Sequence, residues 1–467
     1  MPRSADHDSS VTGAAQWHDE RSISEQGENV CVIGAGASGL CTVKNLREQG
    51  FGVDCYERET GVGGAWNWRH DRSPVYASTH VISSKPFSQY PDFPLPDDWP
   101  DYPHHSQLLR YLERYADHFD LRRHIWFGTE VVRVEPAEGD RWDVTTRSTG
   151  GNGAERTQRY AAVIIANGHN WAPNQPDYEG LSDFTGQVVH ASAYHDATQL
   201  RGRRVLVIGG GNTGCDIAVE AGQQASRCWH STRRGYWYTP KYVLGRPSDQ
   251  VNARLLALRL PLTLRRWIYQ RMLRLTVGDL TRFGMRAPDH QVFESHPIVN
   301  SLLVHQVGHG TVRPVPDVAR FRRHSVELAD GSEIDPDLVV LATGYQPRFD
   351  FLDPRLLGAG TDGRPQLYLH AFAREHPTLS VVGLLQADSG IFPLIHWQSV
   401  VVARWLGTRM ADPGAAATLA ARIQAEAGRH WHDGKVSDSP RHQFEVSHLT
   451  YLRALQSALD SLEVAAR

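Results

Sequence analysis

Three glycines, spaced Gly34-x-Gly36-x-x-Gly39, follow the apolar run Val30-Cys-Val-Ile33. An acid, Glu57, closes the next apolar run. Strand, glycines, helix, strand and terminal acid, in that order, form the pattern that binds a dinucleotide. Gly34 makes the tight turn, Gly36 lets the backbone approach a pyrophosphate, and Gly39 lets the helix pack closely on the strand. Ala37 and Ser38 complete the loop into a helix predicted from Leu40 to about Gln49. The N-terminus of such a helix offers N–H groups and a partial positive charge to phosphates. The Glu57 carboxylate, followed by Arg58, is placed to accept hydrogen bonds from a ribose diol.

The pattern occurs a second time, as Val205-Leu-Val-Ile-Gly209-Gly-Gly211-Asn212-Thr213-Gly214. The offset from Gly34 to Glu57 leads here from Gly209 to Thr232, between Ser231 and the pair Arg233-Arg234. A carboxylate there would repel a 2′-phosphate, whereas a hydroxyl and two guanidiniums bind one by charge-assisted hydrogen bonds. The first site therefore fits FAD and the second NADPH; the other reading of Arg233 and Arg234 is a solvated surface pair. Between Glu57 and the second motif, Gly61-Val-Gly63-Gly64-Ala-Trp66 offers a glycine loop and an aromatic ring. That suits a flat, apolar isoalloxazine, or else a tight turn with a core Trp.

These motifs need a scaffold, and a chain of 467 residues predicts two lobes. The net charge of −3 argues against a nucleic-acid binder. The cysteines Cys31, Cys41, Cys55, Cys215 and Cys228 form no C-x-x-C and read as buried small hydrophobes of a reducing, cytoplasmic setting. Residues 1–28 are polar, without the apolar core of a signal peptide, and read as a disordered leader. No apolar run reaches transmembrane length. The histidines are scattered, and no metal-ligand cluster or Ser-His-Asp order stands out.

Residues Tyr76 to Tyr102, rich in Pro, Asp, Ser and aromatics, predict an irregular segment packed across a lobe. Ser106 is the expected cap of a helix carrying Leu108, Leu109, Tyr111, Leu112 and Tyr115. Strands are expected over 125–165, and helices over 395–408, 414–427 and 440–465. Within a helical insertion at about 245–300, leucines alternate with Arg254, Arg259, Arg265, Arg266, Arg271 and Arg274, and Pro261 divides the stretch into two helices. Three readings stand: a lid over a substrate entrance, a basic patch on 254–274 touching a membrane surface, or helices packed on the lobe with snorkelling arginines.

Two such fingerprints around Phe184-x-Gly186-x-x-x-His190-x-x-x-Tyr194 resemble the flavin-containing monooxygenases, the class B flavoprotein monooxygenases. The resemblance spans about residues 29–410. It takes in Gly63-Gly64-x-Trp66, Asp92-Phe-Pro, His105-Ser-Gln, Ser231-Thr-Arg-Arg-Gly235, Asp337 to Tyr345, Val382 to Gln386, and Gln398-Ser399. It implies an α/β fold of two Rossmann-like dinucleotide-binding domains. The NADPH domain (176–324) would be inserted into a discontinuous FAD domain (29–175 and 325–467). It also implies flavin contacts from Gly64, Trp66, His105, Val131, Gln386 and Gln398, the last at the pyrimidine edge. Positional roles fall to Ser83, His190 and Tyr194.

The resemblance implies that NADPH reduces FAD and that the reduced flavin forms a C4a-(hydro)peroxyflavin with O2. This oxygenates the amine nitrogen or thioether sulfur of a small molecule. Baeyer–Villiger relatives carry Trp, often followed by Pro or Asp, where this chain has Tyr194-His195, which favours heteroatom oxygenation over ketone oxidation. One departure stands out. Many relatives place an Asn before the reactive flavin carbon, where this chain has Ile82, followed by Ser83, Ser84 and Lys85. An aliphatic side chain donates no hydrogen bond, so stabilisation falls to NADP, the backbone or Ser83. That keeps open an NADPH oxidase or an electron donor to a partner; a regulatory flavin module without turnover is disfavoured by two intact nucleotide motifs. The substrate is not specified, and a homodimer is an open assembly.

Overall fold

The computed structural model describes residues 29–463 except 152, 259, 296–297, 361–362 and 433–443; the expected leader lies outside the described residues. Val30–Ile33 is fully buried, and it hydrogen bonds in parallel to Val53–Tyr56 on one side and Ala162–Ile165 on the other. Such uninterrupted apolar runs belong to strands covered on both faces. Val30 and Val32 face the helices Ala37–Glu48 and Phe392–Ala411, through a core that includes Leu40, Leu46 and Val402. Cys31 and Ile33 face the opposite way, onto Val134, Trp142 and Val144 of an antiparallel three-stranded sheet. The seven-stranded parent sheet is completed by Ile125–Trp126, parallel to Cys55–Tyr56 at one edge, by Leu379–Val381, which pairs in parallel with Val163–Ile165, and by two short antiparallel strands beyond it.

The second lobe repeats the plan with five parallel strands, ordered Val312–Val315, Arg227–Ser231, Arg204–Ile208, Leu338–Leu341 and Gln187–His190. The helix Asn212–Gln224 packs on it through Cys215, Ile217 and Ala218. This sheet moves the expected boundary at 324/325. Leu338–Leu341 sits between Arg204–Ile208 and Gln187–His190, fully paired on both edges. Val326, Leu328 and Ile334 share a core with Phe184, Leu206 and Val339. The second lobe therefore runs to Ala342. The chain crosses back where Tyr345–Gln346 pairs antiparallel with Ala172–Pro173, the outgoing crossing.

Three local expectations shift. The first helix begins at Ala37, directly after Gly36, and ends at Glu48. The helix at 105 is capped by His104 rather than Ser106: the His104 ring accepts from Ser106 N–H, and Gln107 reaches back to His104 N–H. The three C-terminal helices are Phe392–Ala411, Ala417–Glu426 and His448–Glu463, with 440–443 outside the described residues. Within the insertion, helices Ser248–Ala257 and Leu262–Thr276 meet at Pro261, as its missing N–H dictates. All five cysteines are buried, and none of them forms a disulfide. Among the described residues, no helix is long and apolar enough to cross a membrane.

The irregular Tyr76–Tyr102 segment docks on the second lobe. Tyr76 belongs to that lobe's core, and its hydroxyl donates to Asp216 Oδ2 at 2.7 Å. Ala77 N–H donates to His195 O at 2.8 Å, and Tyr102 hydroxyl to Lys241 O at 2.5 Å.

Burial also leaves an acid signature. His105, His370 and His448 are each held near pKa 4, primarily by desolvation, against an ordinary 6.5. Between those values the unfolded chain binds protons that the folded chain refuses, so stability must fall as pH drops from about 6.5 to 4. Urea midpoints measured at pH 7, 5.5 and 4.5 are expected to fall in that order; a flat profile would contradict the neutral assignment.

Candidate active site

The first glycine crossover is closed by backbone alone. Gly34 has φ +101°, and a Cβ on Gly39 would stand 1.8 Å from the Gly34 carbonyl oxygen. The helix that starts at Ala37 has no side-chain cap and no acid in its first turn, so its leading N–H groups are left to an anion. Glu57 is oriented by two donors, Ala35 N–H to Oε2 at 2.7 Å and Glu59 N–H to Oε1 at 2.9 Å. Desolvation raises its pKa, and each oxygen keeps a lone pair for a ribose. Arg58 pairs with Glu130 at 3.2 Å and with Glu59 at 3.5 Å.

The second glycine loop folds back onto the first. Gly63 N–H donates to Ala35 O at 3.0 Å, and a Cβ on Gly64 would lie 2.9 Å from Gly36 Cα. Ser38 sits under Gly383, where a Cβ would strike its hydroxyl at 2.1 Å. Trp66 packs half-buried against the core. His105 is buried and its Nδ1 has no hydrogen-bond partner, so a donor or acceptor can still be satisfied there. These features, a backbone cradle, open helical N–H groups, an oriented acid and an orphaned ring nitrogen, fit a flavin dinucleotide.

Two expected contacts change character. Gln398 is fully buried and committed: it accepts from Gly383 N–H at 2.8 Å and donates to Leu369 O and the Tyr451 hydroxyl. It therefore holds the Gly383 turn instead of meeting a ring itself. The Val131 side chain is buried with Ile33 and Trp142, which leaves only its backbone, at a break in strand register, for a ligand.

The second crossover repeats the first: Gly209 has φ +134°, and a Cβ on Gly214 would lie 2.0 Å from Gly209 O. The helix beyond Gly211 again lacks a side-chain cap and starts at Asn212 and Thr213. Asn212 Oδ1 accepts from Val299 N–H at 2.8 Å. Ser231 is not available to a ligand, since its hydroxyl is fully buried and donates to Pro316 O at 2.8 Å. Thr232 and Arg234 do line one small cavity, together with Gly235 and Arg286. Arg234 is held there by a bidentate pair to Asp289, Nε to Oδ2 at 2.9 Å and Nη2 to Oδ1 at 3.0 Å. Arg233 is exposed, and its carbonyl accepts from Arg286 at 2.9 Å. Arg286 and Asp289 escape sequence reading because they lie in the insertion, with no spacing relation to the glycines.

His190 and Tyr194 sit at the seam between lobes. His190 is buried and bridges Ser192 Oγ at 3.0 Å to Gly344 O at 3.1 Å on the returning crossing. Tyr194 hydroxyl donates to Glu220, which also accepts from Ser78 of the first lobe. Neither ring faces the large cavity.

That cavity, about 920 Å³ and open to solvent, lies between the lobes. The first lobe contributes Ile82, Ser83 and Gln386; the second contributes Tyr236, Trp237 and Thr239. The insertion adds Asp249, Asn252 and Tyr269, which supports its reading as a lid. Ser83 Oγ lies 2.9 Å from Ser88 Oγ, within the segment that carries Ile82.

A methyl group at either crossover should be costly. Gly39→Ala is expected to lose about 3 kcal/mol and to purify with depleted flavin, whereas Gly214→Ala should keep its flavin and lose nicotinamide-nucleotide affinity. Flavin absorbance of the purified proteins, together with nucleotide titration, checks both; equal flavin loss in the two variants would contradict the division of sites.

Residues 27–461 match the family model described as flavin-binding monooxygenase-like. Dimethylaniline monooxygenase [N-oxide-forming] 2 of Rattus norvegicus is 33% identical over 396 residues, covering 81% of this chain and 72% of that protein. A flavin-containing monooxygenase from Stenotrophomonas maltophilia is 25% identical with TM-score 0.61, over 82% of this chain and 99% of that one. The NADP+-bound cyclohexanone monooxygenase from Rhodococcus sp. Phi1 shares the fold at TM-score 0.67 and 21% identity, over 93% and 97% of the two chains. With a Rossmann crossover in each lobe and a family match over nearly all of its length, the chain belongs to the flavin-binding monooxygenase-like family, as a flavin-dependent oxidoreductase.

Proposed function

We propose that this chain is an NADPH- and O2-dependent FAD monooxygenase that oxygenates the nitrogen or sulfur of a small amine or thioether. One observation carries the reading: each of two lobes has its own dinucleotide crossover, and segments of both lobes wall one cavity. Bound FAD would supply hydride uptake from NADPH and O2 activation at its C4a carbon. The balance is substrate, O2, NADPH and a proton in; oxygenated substrate, water and NADP+ out. The protein's part is to bind, orient and keep dry.

The open N–H groups at Ala37 to Gly39 take the FAD pyrophosphate, and Glu57 takes its ribose. Thr232, Arg233 and Arg234, joined by Arg286, take the 2′-phosphate of NADPH. His190 and Tyr194 fix the seam and leave the cavity to substrate. Ile82 excludes water from the flavin face, which slows peroxide loss, yet it donates no hydrogen bond. That second property favours an alternative, an NADPH oxidase.

Coupling separates the two. The expected result is about one N-oxide or sulfoxide per NADPH consumed; NADPH use matched instead by H2O2, with no oxygenated product from any amine or thioether, would sink the monooxygenase reading. Separately, Arg234→Ala should raise the KM for NADPH about tenfold to a hundredfold and leave that for NADH within about twofold, because the charge-assisted phosphate contact is lost and Asp289, left without Arg234, repels the phosphate. Equal effects on both nucleotides would remove Arg234 from the phosphate site.

A further inference from the structure

The second glycine loop carries one glycine more than the dinucleotide pattern asks for. In Gly209-Gly210-Gly211-x-x-Gly214, Gly210 stands where the pattern accepts any residue. Its φ lies outside the left-handed region, so backbone freedom does not call for a glycine there. The cause is steric. A Cβ on Gly210 would lie 2.3 Å from Cε2 and 2.9 Å from Cδ2 of the Tyr236 ring. The missing side chain makes room for an aromatic ring laid against the loop.

That ring is pinned from both sides. Before it, Gly235 is pressed on the insertion, where a Cβ would stand 1.8 Å from Ala287 O, and Arg286 Nη1 donates to Arg233 O at 2.9 Å. After it, Trp237 Nε1 donates to His290 O at 2.8 Å. The chain from Thr232 to Thr239 separates the two cavities. Thr232, Arg234, Gly235 and Tyr238 line the small one; Trp237 and Thr239 line the interlobe one. Among the described residues, Tyr236 alone lines both. The loop also abuts the larger cavity, because Asn212 Oδ1 accepts from the N–H of Val299, one of that cavity's wall residues.

A nucleotide with its 2′-phosphate at Arg234 and its pyrophosphate at the helix N-terminus still has its nicotinamide half to place. We propose, resting on the NADPH reading above, that Tyr236 binds that half: its ring is the partition the nucleotide crosses from the small cavity into the interlobe cavity, and the face on which the nicotinamide lies. A neutral aromatic face stacks on a flat ring and offers a phosphate nothing. In NADP+ the nicotinamide is also a cation, which such a face attracts.

Two ligands of different length test this on the oxidised holoenzyme. 2′,5′-ADP carries the phosphate end of the nucleotide and lacks the nicotinamide; NADP+ has both. Affinities are measured by calorimetry. Tyr236→Ala is expected to weaken NADP+ about tenfold and to leave 2′,5′-ADP within about twofold. Gly210→Ala, whose methyl group displaces the ring, should reproduce that selective loss, and combining it with Tyr236→Ala should cost nothing more. Equal loss of both ligands in Tyr236→Ala would make the ring a mere support of the loop and overturn the inference, as would unchanged NADP+ affinity. A Gly210→Ala penalty that persists once the ring is gone overturns it too. A wild type that binds neither ligand removes the NADPH reading itself, and this inference with it.

Discussion

Backbone contact at two glycine crossovers sets the geometry of everything else. At Gly39 and Gly214 the nucleotide helix lies so near its parent strand that a methyl carbon would fall within 2.0 Å of a carbonyl oxygen. This closeness aims the helix N-terminus, and with it N–H groups without a side-chain cap, at the same edge of each sheet. Secondary supports follow from it. Glu57 accepts from Ala35 within the first loop, Tyr90 hydroxyl donates to Ala37 O at 2.6 Å, and the His230 ring meets Gly209 O at 2.9 Å. None of these side chains could reach its partner if the loop stood farther out.

The second constraint joins the lobes. The helix Asn212–Gln224 carries Asp216 and Glu220 on one face, four residues apart. Asp216 accepts from Tyr76 and from Asn300 at 2.7 Å; Glu220 accepts from Ser78 and Tyr194. The helix that follows the second glycine crossover is thus also the surface on which the first lobe is docked. Across the cavity, Asp249 binds Ser84 N–H and so fixes the insertion to the segment bearing Ile82. The glycine crossovers and the cavity walls share supports, so a change in one is felt in the other.

How legible was this in the chain? Both crossovers were, because glycine spacing, apolar runs and terminal residues are local and each has a steric cause. The α/β class and two-lobe plan followed from them. The boundary at 324/325 was misplaced because Val326 to Ile334 is a plain antiparallel meander, and nothing local says which sheet it covers. Ser231 and Gln398 had the right neighbourhood and the wrong direction: a hydroxyl and an amide were turned inward by Pro316, Gly383 and Tyr451, partners remote in sequence. His104 took the capping role from Ser106 because the helix starts earlier, at His105, where the His104 imidazole accepts from the Ser106 N–H. Arg286, Asp289, Asp249, Asp388 and Glu445 were invisible for one reason: the fold alone brings the insertion to the small cavity at Thr232 and Arg234, and the insertion, a linker and a late strand to the interlobe cavity.

The inserted lobe has a consequence for synthesis. Its five strands are all present once the chain has been made to Leu341. The first sheet is not complete at that point, because Ala162–Ile165 awaits Leu379–Val381 on its open side. During elongation the wholly apolar strand Ala-Val-Ile-Ile, paired on one side with Val30–Ile33, therefore stands with its other edge open while the second lobe closes. The ribosome delivers the later lobe as a finished unit and the earlier one as a template, so the exposed Ala162–Ile165 edge is the place where a nascent chain of this design invites a chaperone or a mispairing.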